Sequence, residues 1–211
     1  MTHPSPLILS ETDKLAEGAG RIVFDHPDRR DVIVKVHKPH RKKMLSGLKR
    51  YLRSNRRKYG LIMYSAVEIE EVARAVGHTG QVPDCVAQFM GFVNTNLGPA
   101  AMFEAVRRED GQLGTTLLNH AVKHGFEPQM EQAIKDLWDK IAHFGIAISD
   151  RGLANTVVVG DADTGYRLVI VDGLGDRTLI QLQRFGKAMY LTKWRKLRNA
   201  VLQDYRRVCE Q

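Results

Sequence analysis

The chain has 211 residues, 43% of them hydrophobic, and a formal net charge of +8, which is enough apolar material for one large domain or two small lobes. No apolar run approaches the ~20 residues that cross a bilayer, and the start, Met1-Thr2-His3-Pro4-Ser5-Pro6, lacks the charged and apolar regions of a signal peptide. Cys85 and Cys209 show no metal-ligand or redox spacing, so a reducing cytoplasm is the expected compartment.

Residues 7–36 read as short strands joined by turns. Residues 7–9 lead into 15–20, residues 21–24 follow, Asp25-His26-Pro27-Asp28 makes a turn, and 31–36 is the clearest strand, β-branched and bounded by charge. Gly18-Ala19-Gly20 is part of a G-x-G-x-x-G pattern, with Val23 where a third glycine would fall. Such glycines let backbone amides approach phosphates, although one short turn accounts for two of them equally well. Lys35 sits inside an apolar strand, where an unpaired ammonium is costly to bury. Either it reaches water from a strand edge, or it contacts nucleotide phosphates and needs a glutamate from the next helix.

Positive charge is concentrated between Lys35 and Lys58, with eleven Lys and Arg and no acid. Residues 40–58 predict a basic helix carrying Met44, Leu45, Leu48 and Leu52 on one side. Segment 38–58 is either a solvated helix or a dock for an anionic partner, to which Lys49, Arg50, Arg53, Arg56 and Arg57 would supply phosphate contacts. Residues 64–76 predict a second helix, with Val67, Val72 and Val76 set against Glu68, Glu71 and Arg74. Glu68 is the candidate partner for Lys35, and Glu70 and Glu71 are its rivals. Residues 86–93 and 100–106 pair as a hairpin across 94–99, and 107–111 reads as a linker between a first lobe, 1–106, and a second, 107–211.

The second half begins with predicted helices over 113–122 and 128–144, the latter with Ile134, Leu137, Trp138, Ile141 and Phe144 at core spacing and Gly145 as its stop. Strands over 156–159 and 167–172 flank a turn at 161–165. The tail from about 181 to 208 reads as a helix with Phe185, Met189, Trp194, Leu197, Val201 and Leu202 inward.

Between these elements lies the pattern richest in chemistry. Ser149-Asp150-Arg151-Gly152-Leu153-Ala154-Asn155 precedes the two strands, and Asp172-Gly173 follows them. An Asp, an Asn five positions on, and a second Asp before a Gly occur in the order of kinase phosphoryl-transfer loops. Asp150 would orient or deprotonate an acceptor hydroxyl. Asn155 and Asp172 offer hard oxygen ligands that suit Mg2+ completed by nucleotide phosphates. Alone, Asp150 and Asn155 would pass for turn or cap residues, whereas a carboxylate at the end of a buried strand needs a cation or several donors to stay ionised.

Taken together, residues 21–27, Val34-Lys35-Val36, residues 68–73, residues 149–155 and Asp172-Gly173-Leu174-Gly175-Asp176-Arg177-Thr178-Leu179-Ile180 resemble the YrbL family, the PhoP regulatory network protein group of bacteria, a short branch of the protein-kinase-like superfamily. The resemblance covers roughly residues 7–185. It implies an α+β, two-lobed fold with a small five-stranded lobe carrying one or two helices, a reduced and mostly helical second lobe, and ATP with Mg2+ as cofactors. Position by position, Lys35 would hold the phosphates and Glu68 would pair with it. Asp150 would face the acceptor, Asn155 and Asp172 would hold metal, and Phe103-Glu104-Ala105 would be the hinge that contacts adenine.

The chain departs from the wider kinase pattern in three places. Ile148-Ser149 stand where His-Arg usually precede the catalytic Asp, which implies no control through activation-loop phosphorylation. Gly173-Leu174 replace Phe-Gly after the metal-binding Asp, and the basic stretch 38–58 looks like an insertion. Three functions follow: a phosphotransferase with an unknown protein or small-molecule acceptor, a nucleotide-binding regulatory module without turnover, and a basic adaptor for nucleic acid or another polyanion.

Overall fold

The computed structural model describes residues 5–18, 20–38, 60–175 and 187–211. The basic stretch read as a helix over 40–58, and the segment from Asp176 through Phe185, lie outside these residues. The chain divides into two compact units, Met1–Val67 with Gln88–Ala105, and Glu68–Ala87 with Val106–Gln211.

The first unit is a five-stranded antiparallel sheet. Its strands are β1 (Lys14–Glu17), β2 (Arg21–Asp25), β3 (Val32–His37), β4 (Phe89–Thr95) and β5 (Gly98–Glu104), in the order β1-β2-β3-β5-β4. The β-branched run Val32-Ile33-Val34 suits a pleated surface, and β3 lies in the middle of the sheet with all six residues buried. Leu9, Phe24, Val34, Val36 and Ala100 form the core of this unit. The β4–β5 turn is tighter than the six residues read from sequence, because Gly98 takes a positive φ of 112° and leaves only Asn96-Leu97 between the strands. Asn96 also accepts from Leu9 N–H at 2.9 Å and donates to Leu9 C=O at 3.1 Å, pinning the N-terminal segment to the sheet edge.

Helix α1 (Met63–Thr79) starts in the first unit and runs on into the second. The second unit adds α2 (Leu117–His124), α3 (Pro128–His143), α4 (Lys187–Cys209) and a small sheet of β6 (Thr115–Thr116), β7 (Thr156–Asp161) and β8 (Gly165–Ile170). All five apolar residues assigned to the inner side of α3 are buried, joined by Met130, Ile146, Ile148, Val158, Leu168, Ile170, Val201, Leu202 and Tyr205. Gly145, at φ 62°, ends the third helix.

Two sequence expectations are corrected, and the segment read as a linker is defined more closely. Helix α2 begins at Leu117 rather than 113, because Thr115 and Thr116 pair with Val158 and Val157 and the Thr116 hydroxyl then caps the helix by accepting from Asn119 N–H at 3.2 Å. Residues 107–113 form a closed turn, with Arg107 bridged to Leu113 and Gly111 N–H donating to Arg108 C=O at 2.9 Å. On α1, Glu68 and Glu71 are buried beside the valines instead of facing water, while Val72 and Val76 are only half-buried.

Candidate active site

Within the first unit, Lys35 lies opposite Val23 on β2 and Ala101 on β5. It is 2% exposed, so the strand-edge lysine reaching water is excluded. Its Nζ stands 4.1 Å from the centroid of the Phe103 ring, close enough for a cation–π attraction. The register of β3 against β5 thus brings together a lysine and one of the three expected hinge residues.

Gly18 and Gly20 close the β1–β2 turn, where Gly18 N–H donates to Arg21 C=O at 2.9 Å. A Cβ on Gly20 would meet the Tyr64 ring at 2.5 Å, so close packing against Tyr64 by itself accounts for a glycine there. Lys38 stitches the same turn, its Nζ donating to Gly18 C=O at 2.8 Å and to Glu17 at 2.5 Å. The lysines Lys14 and Lys38 hold the exposed Glu17 carboxyl down at about 2.

At the end of β5 the backbone donors are unevenly used. Glu104 N–H goes to Gln88 C=O and Ala105 N–H to Asp31 C=O, each at 2.8 Å. Neither is left for a ligand. Val106, buried, accepts at its C=O from Gly114 N–H at 2.9 Å, and its own N–H has no partner among the described residues. A buried backbone donor without a partner is rare. Val106 was missed in the sequence because an unspent N–H depends on the register of its neighbours, not on the identity of the residue.

The second unit, by itself, gathers the acidic residues of the Asp150 loop and the Asp172 segment. Ser149 and Asp150 N–H both donate to Gly173 C=O, at 2.8 and 3.3 Å, and the Ser149 hydroxyl adds a bond at 3.0 Å. Ile148 bridges Leu174, and Gly175 N–H reaches Ala147 C=O at 2.8 Å. The loop carrying Asp150 is therefore zipped to the segment carrying Asp172. Gly173 makes this approach possible, since at φ 87° a Cβ would fall 2.5 Å from Asp150 C=O. The 3-10 turn Leu153–Asn155 folds back so that Asn155 Nδ2 donates to Asp150 C=O at 3.4 Å and its own C=O accepts from Val171 N–H at 2.9 Å. Asp150, Asn155 and Asp172 are thus brought into one hydrogen-bonded substructure. β8 ends at Ile170 rather than at Asp172, which leaves Asp172 half-buried in a bend, bonded through Oδ1 to Gly173 N–H at 2.6 Å.

With Nδ2 turned to the backbone, Asn155 has an oxygen to offer, and Asp172 supplies a carboxylate. Two hard oxygen donors suit Mg2+, which keeps waters and phosphate oxygens for the rest of its shell. No group of three or more His, Cys, Asp or Glu among the described residues could hold a metal by itself.

The loop is braced from two sides. Arg151 pairs with Asp204 on α4, which also accepts from Arg207 at 2.6 Å. On α1, Glu71 Oε1 accepts from Ala147 N–H at 2.6 Å and from Arg74, and Arg74 donates again to Gly145 C=O. Glu71 is committed to the segment that enters the Asp150 loop. Glu68, one turn earlier and 2% exposed, is the other fully buried acid of α1; Glu70 is half-buried. No helix of the described residues is long and apolar enough to cross a membrane.

The family described as PhoP regulatory network protein YrbL matches residues 7–205. Among solved structures the chain is similar to the crystal structure of Rad53 1–466 in complex with AMP-PNP, at 14% identity and a TM-score of 0.49, covering 90% of this chain and 46% of that one. The chain thus spans less than half of that protein's length. No curated protein matches it. The order of elements is α+β, with five antiparallel strands, α1 between β3 and β4, and the Asp150 loop ahead of β7 and β8.

Proposed function

We propose that this chain, which belongs to the PhoP regulatory network protein YrbL family, is an ATP- and Mg2+-dependent phosphotransferase serving a bacterial regulatory network. The observation that carries the reading is the zipped substructure of the second unit, in which a glycine at positive φ lets Asp150, Asn155 and Asp172 share one backbone scaffold. A turn residue in isolation would not need that contact.

Asn155 and Asp172 would hold Mg2+, which when bound neutralises charge on the transferring phosphoryl group. Lys35, with Glu68 as its counter-charge, would bind the nucleotide phosphates. With the Glu104 and Ala105 N–H groups spent, the adenine at the strand end 103–105 would take its hydrogen bond from the spare Val106 N–H. Asp150 would accept the proton of the acceptor hydroxyl, and the Arg151–Asp204 pair would keep the loop in position. Most of the rate would come from positioning and fixed charge.

Mg·ATP is expected to raise the melting temperature of the wild type. Asp150→Asn should retain that shift while ATP turnover falls about a hundredfold or more, the usual range for a lost general base. No shift in the wild type would remove the nucleotide reading, and unchanged turnover in Asp150→Asn would remove the catalytic one.

A second reading, a nucleotide-binding regulatory module without turnover, draws on the glycine turn. Packing against Tyr64 accounts for Gly20, and Lys38 already fills the turn carbonyl of Gly18. That reading predicts the same thermal shift without turnover above the level of Asp150→Asn.

A further inference from the structure

We propose that a second site, in the half-open cavity between α2 and the β7–β8 hairpin, binds a small anionic metabolite that carries a phosphate or carboxylate group. The proposal is independent of the phosphotransferase reading. The cavity measures about 580 Å3, within the roughly 300–1,000 Å3 of small-molecule sites. Asp150, Asn155 and Asp172 are not among its lining residues.

The sign of the ligand follows from which polar groups are spent. Of the acids near the cavity, Asp161, Glu127 and Asp110 each spend carboxylate oxygens on neighbouring donors. Asp161 Oδ1 accepts from Asp163 N–H at 3.0 Å and from the Thr164 N–H and hydroxyl at 2.8 Å each. Glu127 accepts from the Tyr166 hydroxyl at 3.0 Å and shares a 2.7 Å bond with His120 Nε2. Asp110 is paired with Arg108 at 3.0 Å.

Four of the lining side chains with donors are not committed. The Lys123 ammonium, the Asn119 side-chain amide, the His124 ring nitrogens and the Thr115 hydroxyl have no hydrogen-bond or ion-pair partner among the described residues. Thr115, Asn119 and Lys123 recur at four-residue spacing, which puts Asn119 and Lys123 side by side on one face of α2. His124 is held by stacking on the buried His120, centroid to centroid 4.5 Å with 22° between planes. The sign rests on the Lys123 ammonium, a donor-only group and the one lining cation without an ion-pair partner among the described residues, with the Asn119 amide, Thr115 hydroxyl and His124 ring able to donate beside it.

The test is NMR titration of the full chain with inorganic phosphate and, in parallel, citrate, following the Asn119 side-chain amide and the Lys123 and His124 backbone signals. Saturable shifts at these positions are expected in the wild type and equally in Asp172→Asn, with at least tenfold weaker saturation in Lys123→Glu, an exposed position. Tighter saturation by phosphate or by citrate assigns the headgroup. Linear, unsaturating shifts with both anions, or saturation as tight in Lys123→Glu as in the wild type, would overturn the proposal, as would loss of the shifts in Asp172→Asn.

Discussion

Lys35 and Gly173 show how a single position can be read wrongly or rightly from its type. A lysine in an apolar strand is ambiguous until its neighbours are known. Here the central register of β3 buries it, with its ammonium over the Phe103 ring. Lys35→Met keeps the unbranched shape and removes the charge, so the fold should survive while Mg·ATP affinity drops about tenfold or more, a loss of about 1.4 kcal/mol or more. Calorimetric titration of the variant checks this, and wild-type affinity would remove Lys35 from the site. Gly173 carries a different constraint. Alanine there must adopt a positive φ and push on the Asp150 carbonyl, which should cost about 1–3 kcal/mol. Urea unfolding would measure it, and an unchanged midpoint would mean that the loop and the Asp172 segment are not zipped as described.

At the scale of elements, the strands and helices were legible wherever apolar spacing set them. The inner face of α3, the β3 run and the β7–β8 hairpin all follow from periodicity. What escaped the sequence was polar burial. Glu71 and Arg74 looked like the solvent side of α1, yet they tie that helix to residues 145–147. Such buried polar ties leave no periodic trace, because their backbone partners, Ala147 and Gly145, lie 76 and 71 residues away. Glu71→Ala would strand the Ala147 N–H and the Arg74 charge, at roughly 3 kcal/mol, whereas Glu71→Gln, which keeps an acceptor, should lose less. Equal losses in urea unfolding would contradict the assigned bonds. Glu131 was missed for the same reason. Hydrogen bonds from Lys135 and from Arg206 on α4 hold its carboxyl below the usual carboxylate range. A depressed folded value makes its contribution fully present above the ordinary carboxylate value, near 4.5, and lost as pH falls below it. Glu131→Gln should therefore flatten the acid limb of the stability curve, and an unchanged limb would show that the α3–α4 tie contributes nothing.

Over the whole molecule, the α+β class, the five-stranded sheet and the family were legible through the resemblance carried by residues 7–185, and the family match and the observed sheet agree with it. The Asp150–Asn155–Asp172 grouping was legible as spacing. Its cause, a glycine-permitted backbone contact, was not, since close approach is a property of the fold and Gly173 could equally have been a plain turn. Positive charge is also a property of the whole. At +8 the chain should bind polyanions with a steep salt dependence. Neutralising Arg53, Arg56 and Arg57 together should elute the protein from heparin at lower salt, and an unmoved elution point would remove segment 38–58 as the docking element. In the proposed function Asn155 and Asp172 would hold Mg2+ for a nucleotide. Calorimetric titration of ATP with and without Mg2+, on the wild type and Asp172→Asn, tests it most directly. Binding that tightens with Mg2+ in the wild type and loses that Mg2+ dependence in Asp172→Asn is the predicted result; an equal response to Mg2+ in both proteins would contradict it.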